Sequence, residues 1–176
     1  QATVVNGDVT INACEITGNI TQDTVIAQNA GVLVTGPTFV GSDGGAQVTL
    51  EIGAGATLFG SAGSDYMVVA RGSRIEANGT SAAPIIMTSR QDVEGTVGAN
   101  DRGQWGGLII NGFAPINACI DGTAAGGSAD CEKSGEGSSG LFGGDNPAGD
   151  SGWLRYVQVC YAGLPINNED ALRGIA

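Results

Sequence analysis

Residues 48–89 read VTLEIGAGATLFGSAGSDYMVVARGSRIEANGTSAAPIIMTS, and their internal pattern decides the fold. Offset by 17 positions, the stretch matches itself: Leu50, Ile52, Gly55 and Leu58 fall on Met67, Val69, Gly72 and Ile75. Each copy is a short strand of period two, a glycine bend and a second short strand. Glycine at the bend permits backbone that bulkier residues resist. A unit this small cannot bury its apolar face alone, so copies must stack. No helical pattern separates them. The expected fold is therefore all-β, a parallel β-solenoid in which each turn of chain forms one rung.

Composition agrees with many short strands joined by tight bends. The chain has 176 residues, of which 31 are glycine, 41% are apolar and 14% are charged. That suffices for one domain with a real core. Eighteen acids against seven bases give a net charge of −11, which disfavours nucleic acid and anionic membrane surfaces. No apolar run is long enough for a membrane span. The absence of histidine removes the commonest general base and metal ligand.

Residues 1–47 read as opening turns, with strand-like runs at Thr3–Val5, Val9–Ile16, Thr24–Ala27 and Val32–Val40. Residues 48–116 are the central rungs, including Ile85–Thr88 and the strand around Gln104–Gly112. Trp105 belongs in the core or a lid. Residues 89–103 are polar, acidic and expected to be exposed. Residues 117–150, rich in Gly, Ser, Ala and Asp, lack periodicity and read as a long inserted loop, functional or mobile. Residues 151–176 resume the rungs, with Val157 and Val159 inward and Tyr156, Gln158 and Cys160 outward. Without the insertion, ~20–25 residues per turn give about six rungs. Gln1 in place of an initiator Met suggests a processed secretory product or a fragment. A C-terminus in mid-rung suggests completion by more chain or by another copy.

Four cysteines allow three pairings. Cys119 and Cys131 share one Gly-rich segment and are expected to close a local loop, which leaves Cys14 with Cys160; a bond between subunits is the alternative. In an extracellular or cell-surface setting, which is the localisation expected, two disulfides are the plain reading.

The segments LEIGAGATLFG, YMVVARGSRIEANGTSAAPIIMTS, RGQWGGLIINGFAPIN, GLFGGDNP and SGWLRYVQVCYAG carry a resemblance across roughly residues 31–163. The chain resembles secreted or outer-membrane β-helix proteins of Gram-negative bacteria, within the broad pectate-lyase-like right-handed β-helix group. GT-x-x-x-PI-x-x-T followed by W-G-G-L-x-I marks the architecture rather than an activity. The resemblance implies export and a structural or surface role, and it supplies no catalytic residues.

A polysaccharide lyase of this shape needs an acid cluster holding calcium and a nearby basic residue. Arg71 and Arg74 lie within one turn, Arg155 is on a strand, and Asp65 and Glu76 are scattered, so these read as solvated charges. A serine nucleophile lacks its histidine. The expectation is no enzyme, no catalytic residue and no required cofactor. Weak calcium binding is the one metal candidate, with oxygen ligands from Asp101, Asp145, Asn146 and Asp150. Asn19-Ile20-Thr21 and Asn78-Gly79-Thr80 match the N-glycosylation pattern, although Asn78-Gly79 also makes a turn. The leading function is an extracellular structural protein that stacks head to tail with copies of itself into filaments. The runner-up is a cell-surface adhesin or glycan-binding module using 117–150 or a rung face, and the third is a fragment of a polysaccharide-active enzyme.

Overall fold

A computed structural model describes residues 2–7, 9–120, 124–164 and 172–176. Its strands are β1 (Ala2–Asn6), β2 (Val9–Ile20), β3 (Thr24–Ile26), β4 (Gly31–Val40), β5 (Thr49–Gly53), β6 (Thr57–Gly60), β7 (Tyr66–Val69), β8 (Arg74–Asn78) and β9 (Ile85–Ser89). After a single helical turn, α1 (Arg90–Val93), come β10 (Gly107–Ile110), β11 (Glu132–Ser134), β12 (Leu141–Gly143), β13 (Gly152–Arg155) and β14 (Val157–Val159).

These strands form three parallel ladders. The first joins β2, β4, β6, β9 and β14, through Cys14↔Val32↔Leu58↔Met87↔Val159. The second joins the latter halves of β2 and β4 to β7 and β10, through Gly18↔Thr38↔Met67↔Leu108. Residues 174–176 continue it, with an isolated parallel bridge from Leu108 to Ile175. The third joins β3, β5, β8 and β13, through Ile26↔Ile52↔Ala77↔Leu154. The chain visits the ladders in the same order on each pass.

Because pairing is in register, side chains of one face stack into columns. Val32, Leu58 and Met87 in the first ladder, Met67 and Leu108 in the second, and Leu50, Ile52 and Ile75 in the third share a single core cluster. Trp105 lies in that cluster, only 1% exposed, and its Nε1–H donates to the Cys160 carbonyl (2.8 Å). It is a core residue. Val157 and Val159 pack against the same cluster, as alternation required.

The 17-residue repeat is genuine in shape but is not the stacking period. Leu50 lies beside Ile75, 25 positions on, and Leu58 beside Met87, 29 positions on. Leu50 and Met67 belong to different ladders. The repeat therefore relates two corners of one pass rather than two successive layers. A pass this long makes five strands in the deepest described ladder, against about six expected. Both copies turn on glycine at positive φ: Gly55 at 74° and Gly72 at 84°. At Gly55 a side chain would also strike the Asn29 amide oxygen.

Three features depart from simple stacking. β1 turns back antiparallel on β2 from Val9 to Ala13, and Val4 packs on the outer face with Ala13, Leu33 and Phe59. Residues 89–103, expected to be wholly exposed, open with α1. Ser89 caps it, its Oγ accepting from the Asp92 N–H (3.1 Å), and Val93 seals the same outer cluster. The insertion is not structureless: β11 and β12 form an antiparallel hairpin.

Thr38 is the one misfit in the second ladder's column. It is fully buried, and its hydroxyl has no partner among the described residues. A buried unsatisfied hydroxyl costs roughly 1–3 kcal/mol. Thr38→Val keeps the shape and removes the orphan, and should raise unfolding free energy by about 1 kcal/mol in urea titration. Leu58→Ala, which empties the first column at its centre, should lower it by about 2–5 kcal/mol.

Candidate functional site

The insertion is fastened over the outer face of the second ladder, and Arg71 is the fastening. After β7 the chain bends through Ala70–Ser73, and Arg71 leaves the bend pointing outward from the core. Its Nε and Nη2 donate to the two carboxylate oxygens of Asp43, each at 2.6 Å. Nη2 also meets Glu132 Oε2 at 2.9 Å, and Nη1 donates to the Gly143 carbonyl at 2.9 Å. The Phe113 ring lies 5.0 Å from the guanidinium carbon. Hydrogen bonding to Asp43 chiefly holds the Arg71 pKa above its ordinary value; burial opposes it, and Glu132 adds to the rise. One buried cation thus ties the 41–47 loop, β11 and β12 to the body. Bidentate planar pairing of this kind needs arginine.

Within the insertion, Cys119 and Cys131 form the expected disulfide. Two further links tie the insertion to the body. Buried Asn111 donates from Nδ2 to the Ser139 carbonyl (2.7 Å). Tyr66 donates its hydroxyl to the Gly137 carbonyl (2.8 Å), and burial raises its pKa. Between β10 and the hairpin these contacts leave a cavity of about 520 Å³, walled by Ile109, Ile116, Phe142 and Leu172 with Glu136 and Ser139. A smaller space of about 230 Å³ lies beside Arg71.

A second cluster forms on the outer face of the third ladder. In-register pairing brings Glu51, Glu76 and Trp153 into one row. Trp153 is 36% exposed, with the guanidinium carbons of Arg74 and Arg155 at 5.7 and 5.6 Å from its ring centre. Its Nε1–H donates to Asn78 Oδ1 (2.8 Å). Arg74 pairs with Asp150 (2.7 Å) and lies 3.5 Å from Glu76; the hydrogen bond from Arg74 lowers the Asp150 pKa. Beside it Tyr156 is 62% exposed and holds φ at 47°, a strained conformation for an aromatic residue.

The residues singled out from sequence fall into different places. Asp65 is buried and structural: its carboxylate accepts from the Gly36, Ser61 and Ala62 N–H groups (2.7–2.8 Å). Arg71 and Arg74, close in sequence, serve different ladder faces. Arg155, Glu76 and Arg74 do converge, around Trp153. Of the calcium candidates, Asp145, Asn146 and Asp150 share one exposed loop, whereas Asp101 caps its own loop by accepting from the Gly98 N–H (2.9 Å). Among the described residues no group of three or more His, Cys, Asp or Glu is placed to hold a metal ion. Asn19 is exposed, and Asn78 is committed to Trp153.

The expected Cys14–Cys160 bond is not formed; both are free thiols. They sit on opposite edges of the first ladder, Cys14 on β2 and Cys160 just after β14. Four strand spacings of ~4.8 Å separate their rows by roughly 19 Å, whereas a disulfide needs Cα atoms within about 7 Å. Alternation put Cys160 at the end of one continuous strand, whereas the chain bends at Tyr156 into β13 and β14 and Cys160 lies just past the latter; nor could alternation reveal how many layers intervene.

Arg71→Met should free the insertion while leaving the ladders intact. Amide exchange over 112–143 should accelerate by at least tenfold, with the exchange of β4, β6 and β9 unchanged. Tyr66 supplies a pH test. Its folded-state pKa lies above the ordinary phenol value of about 10. Its stabilisation is therefore complete below pH 10 and is lost as pH rises through the raised value. In absorbance titration at 295 nm, Tyr66→Phe should remove a tyrosine transition that lies above the ordinary phenol value.

Comparison with curated proteins and with solved structures yields no match. A family model described as pectate-lyase like beta helix domain matches residues 18–176, most of the chain. The parallel ladders, the column-forming registers and this match agree: the chain belongs to the pectate-lyase-like beta helix domain family.

Proposed function

We propose that the chain winds as a right-handed β-helix and serves as a non-catalytic structural protein of the bacterial surface, stacking end to end with copies of itself. The handedness follows from the strong right-handed preference of parallel crossovers. The observation that supports stacking is the row Cys14, Val32, Leu58, Met87 and Val159. Val32, Leu58 and Met87 are at most 3% exposed, yet Cys14, in the same register, is exposed. Among the described residues, β2 from Cys14 to Ile20 and all of β3 pair on one side only. An open edge of this kind offers unpaired backbone groups and a core column to a following layer. Export from a Gram-negative cell is the setting this reading carries over from the family resemblance, and the Cys119–Cys131 disulfide suits it.

The family includes enzymes, and the non-catalytic reading rests on what the candidate residues do. Asp65 and Arg71 are fully engaged in holding turns and the insertion. A second reading, a glycan-binding surface module, draws on the exposed Trp153 and Tyr156 flanked by Arg74 and Arg155.

Purified protein should show concentration-dependent fibres or multimers by light scattering and negative-stain microscopy. Cys14→Asp places a charge in the joint without burying it in the monomer, and should return the material to monomer with an unchanged circular dichroism spectrum. A wild-type chain that stays monomeric at all concentrations would refute the stacking reading. Retention of Trp153→Ala on immobilised glycans, compared with wild type, tests the second. Unsaturated products released from pectin or alginate would overturn the non-catalytic reading.

A further inference from the structure

We infer that the cavity beneath the insertion is a binding site for a small zwitterion with an apolar side chain, of the class of aliphatic and aromatic α-amino acids. The inference is independent of end-to-end stacking and of the Trp153 surface.

Two buried acceptors without partners carry the argument. Ser139 is 1% exposed and its hydroxyl oxygen has no partner among the described residues. Glu136 is half-exposed, its side chain 36% accessible, but its Oε2 is enclosed and has no partner among the described residues, while its Oε1 lies 3.6 Å from Arg173. Both residues line the cavity of about 520 Å³. Buried polar atoms left unpaired are rare and cost free energy, so their persistence calls for a donor. An ammonium group supplies three donors, enough for a carboxylate oxygen and a hydroxyl together.

The turn that carries them is built rather than slack. Gly137 and Ser138 hold φ at 63° and 62°, an unfavourable value for serine. Two contacts hold the turn in this conformation: Tyr66 donates to the Gly137 carbonyl and Asn111 to the Ser139 carbonyl. Strain sustained by its surroundings is a mark of sites that must present groups in fixed positions.

The remaining lining sets the rest of the ligand. Ile109, Ile116, Phe142 and Leu172 offer an apolar wall for a side chain. Lys133 and Arg173 also line the space and are exposed, which places positive charge for a carboxylate. Acceptors inside, cations toward solvent and an apolar wall between them match one molecule: ammonium inward, carboxylate outward, side chain against the isoleucines. The space of about 520 Å³ is ample for a ligand of this size and leaves room for water beside it.

The test is isothermal titration of the full chain with leucine and phenylalanine, beside isoamylamine (no carboxylate), 4-methylpentanoate (no ammonium) and glucose (a neutral polyol). Leucine or phenylalanine should bind, with isoamylamine and 4-methylpentanoate each weaker by at least tenfold and glucose silent. Glu136→Gln and Ser139→Ala should each weaken amino-acid binding by about tenfold. Should either variant fail to fold, Ala114→Trp, at an exposed lining position, should abolish binding by occluding the cavity. Absence of amino-acid binding at millimolar concentration, glucose binding as well as leucine, or binding indifferent to Glu136→Gln or Ala114→Trp would each overturn the inference.

Discussion

In-register parallel pairing is the constraint from which everything else in this molecule follows. A parallel ladder repeats the same face at every step, so Leu50 over Ile75 and Leu58 over Met87 are consequences of backbone hydrogen bonding as much as of side-chain preference. Each apolar residue buries its neighbour in the next layer, and neither layer has a core without the other. This explains why a chain with few aromatic residues can build a continuous interior from Val, Leu, Ile and Met. It also explains the cost of Thr38, which register forces into an aliphatic column where its hydroxyl finds no acceptor among the described residues.

The same constraint governs the outer faces. Rows outside the ladders are as regular as those inside, so a polar residue on one strand is set beside specific residues of its neighbours. Glu51, Glu76 and Trp153 come together in this way although more than a hundred positions separate the first from the last. Long excursions are tolerated where the ladder closes again after them: β10 stacks on β7 and β13 on β8 with the insertion between them. The excursion then needs its own attachment. Arg71, between Asp43, Glu132 and Phe113, provides it.

Much of the site was not legible from the chain alone, and the reasons are physical. Arg71 stood out as a base on a bend, but its partners Asp43 and Glu132 lie 28 and 61 positions away, and no local pattern links them. Ser139 and Glu136 sit in a segment whose composition suggested a loop; their isolation as acceptors depends on what packs above them. Cys119 and Cys131 were readable because proximity in sequence makes closure easy. Cys14 and Cys160 were misread because elimination ignores distance, and register had set them four layers apart.

By itself the sequence determined the strand character, the bends and the inward face. Alternation and glycine placement are local, and the backbone responds to them within a few residues. Strand limits such as Gly31–Val40 and Thr49–Gly53 follow that pattern closely. Only tertiary structure decided which strand lies on which. The 17-residue repeat looked like a layer and proved to be two corners of one pass, because corners and layers use the same strand–bend–strand vocabulary. In-register stacking sets these two copies 25 to 29 positions from the strands they lie on, while β2 and β4 stack at 18 to 20.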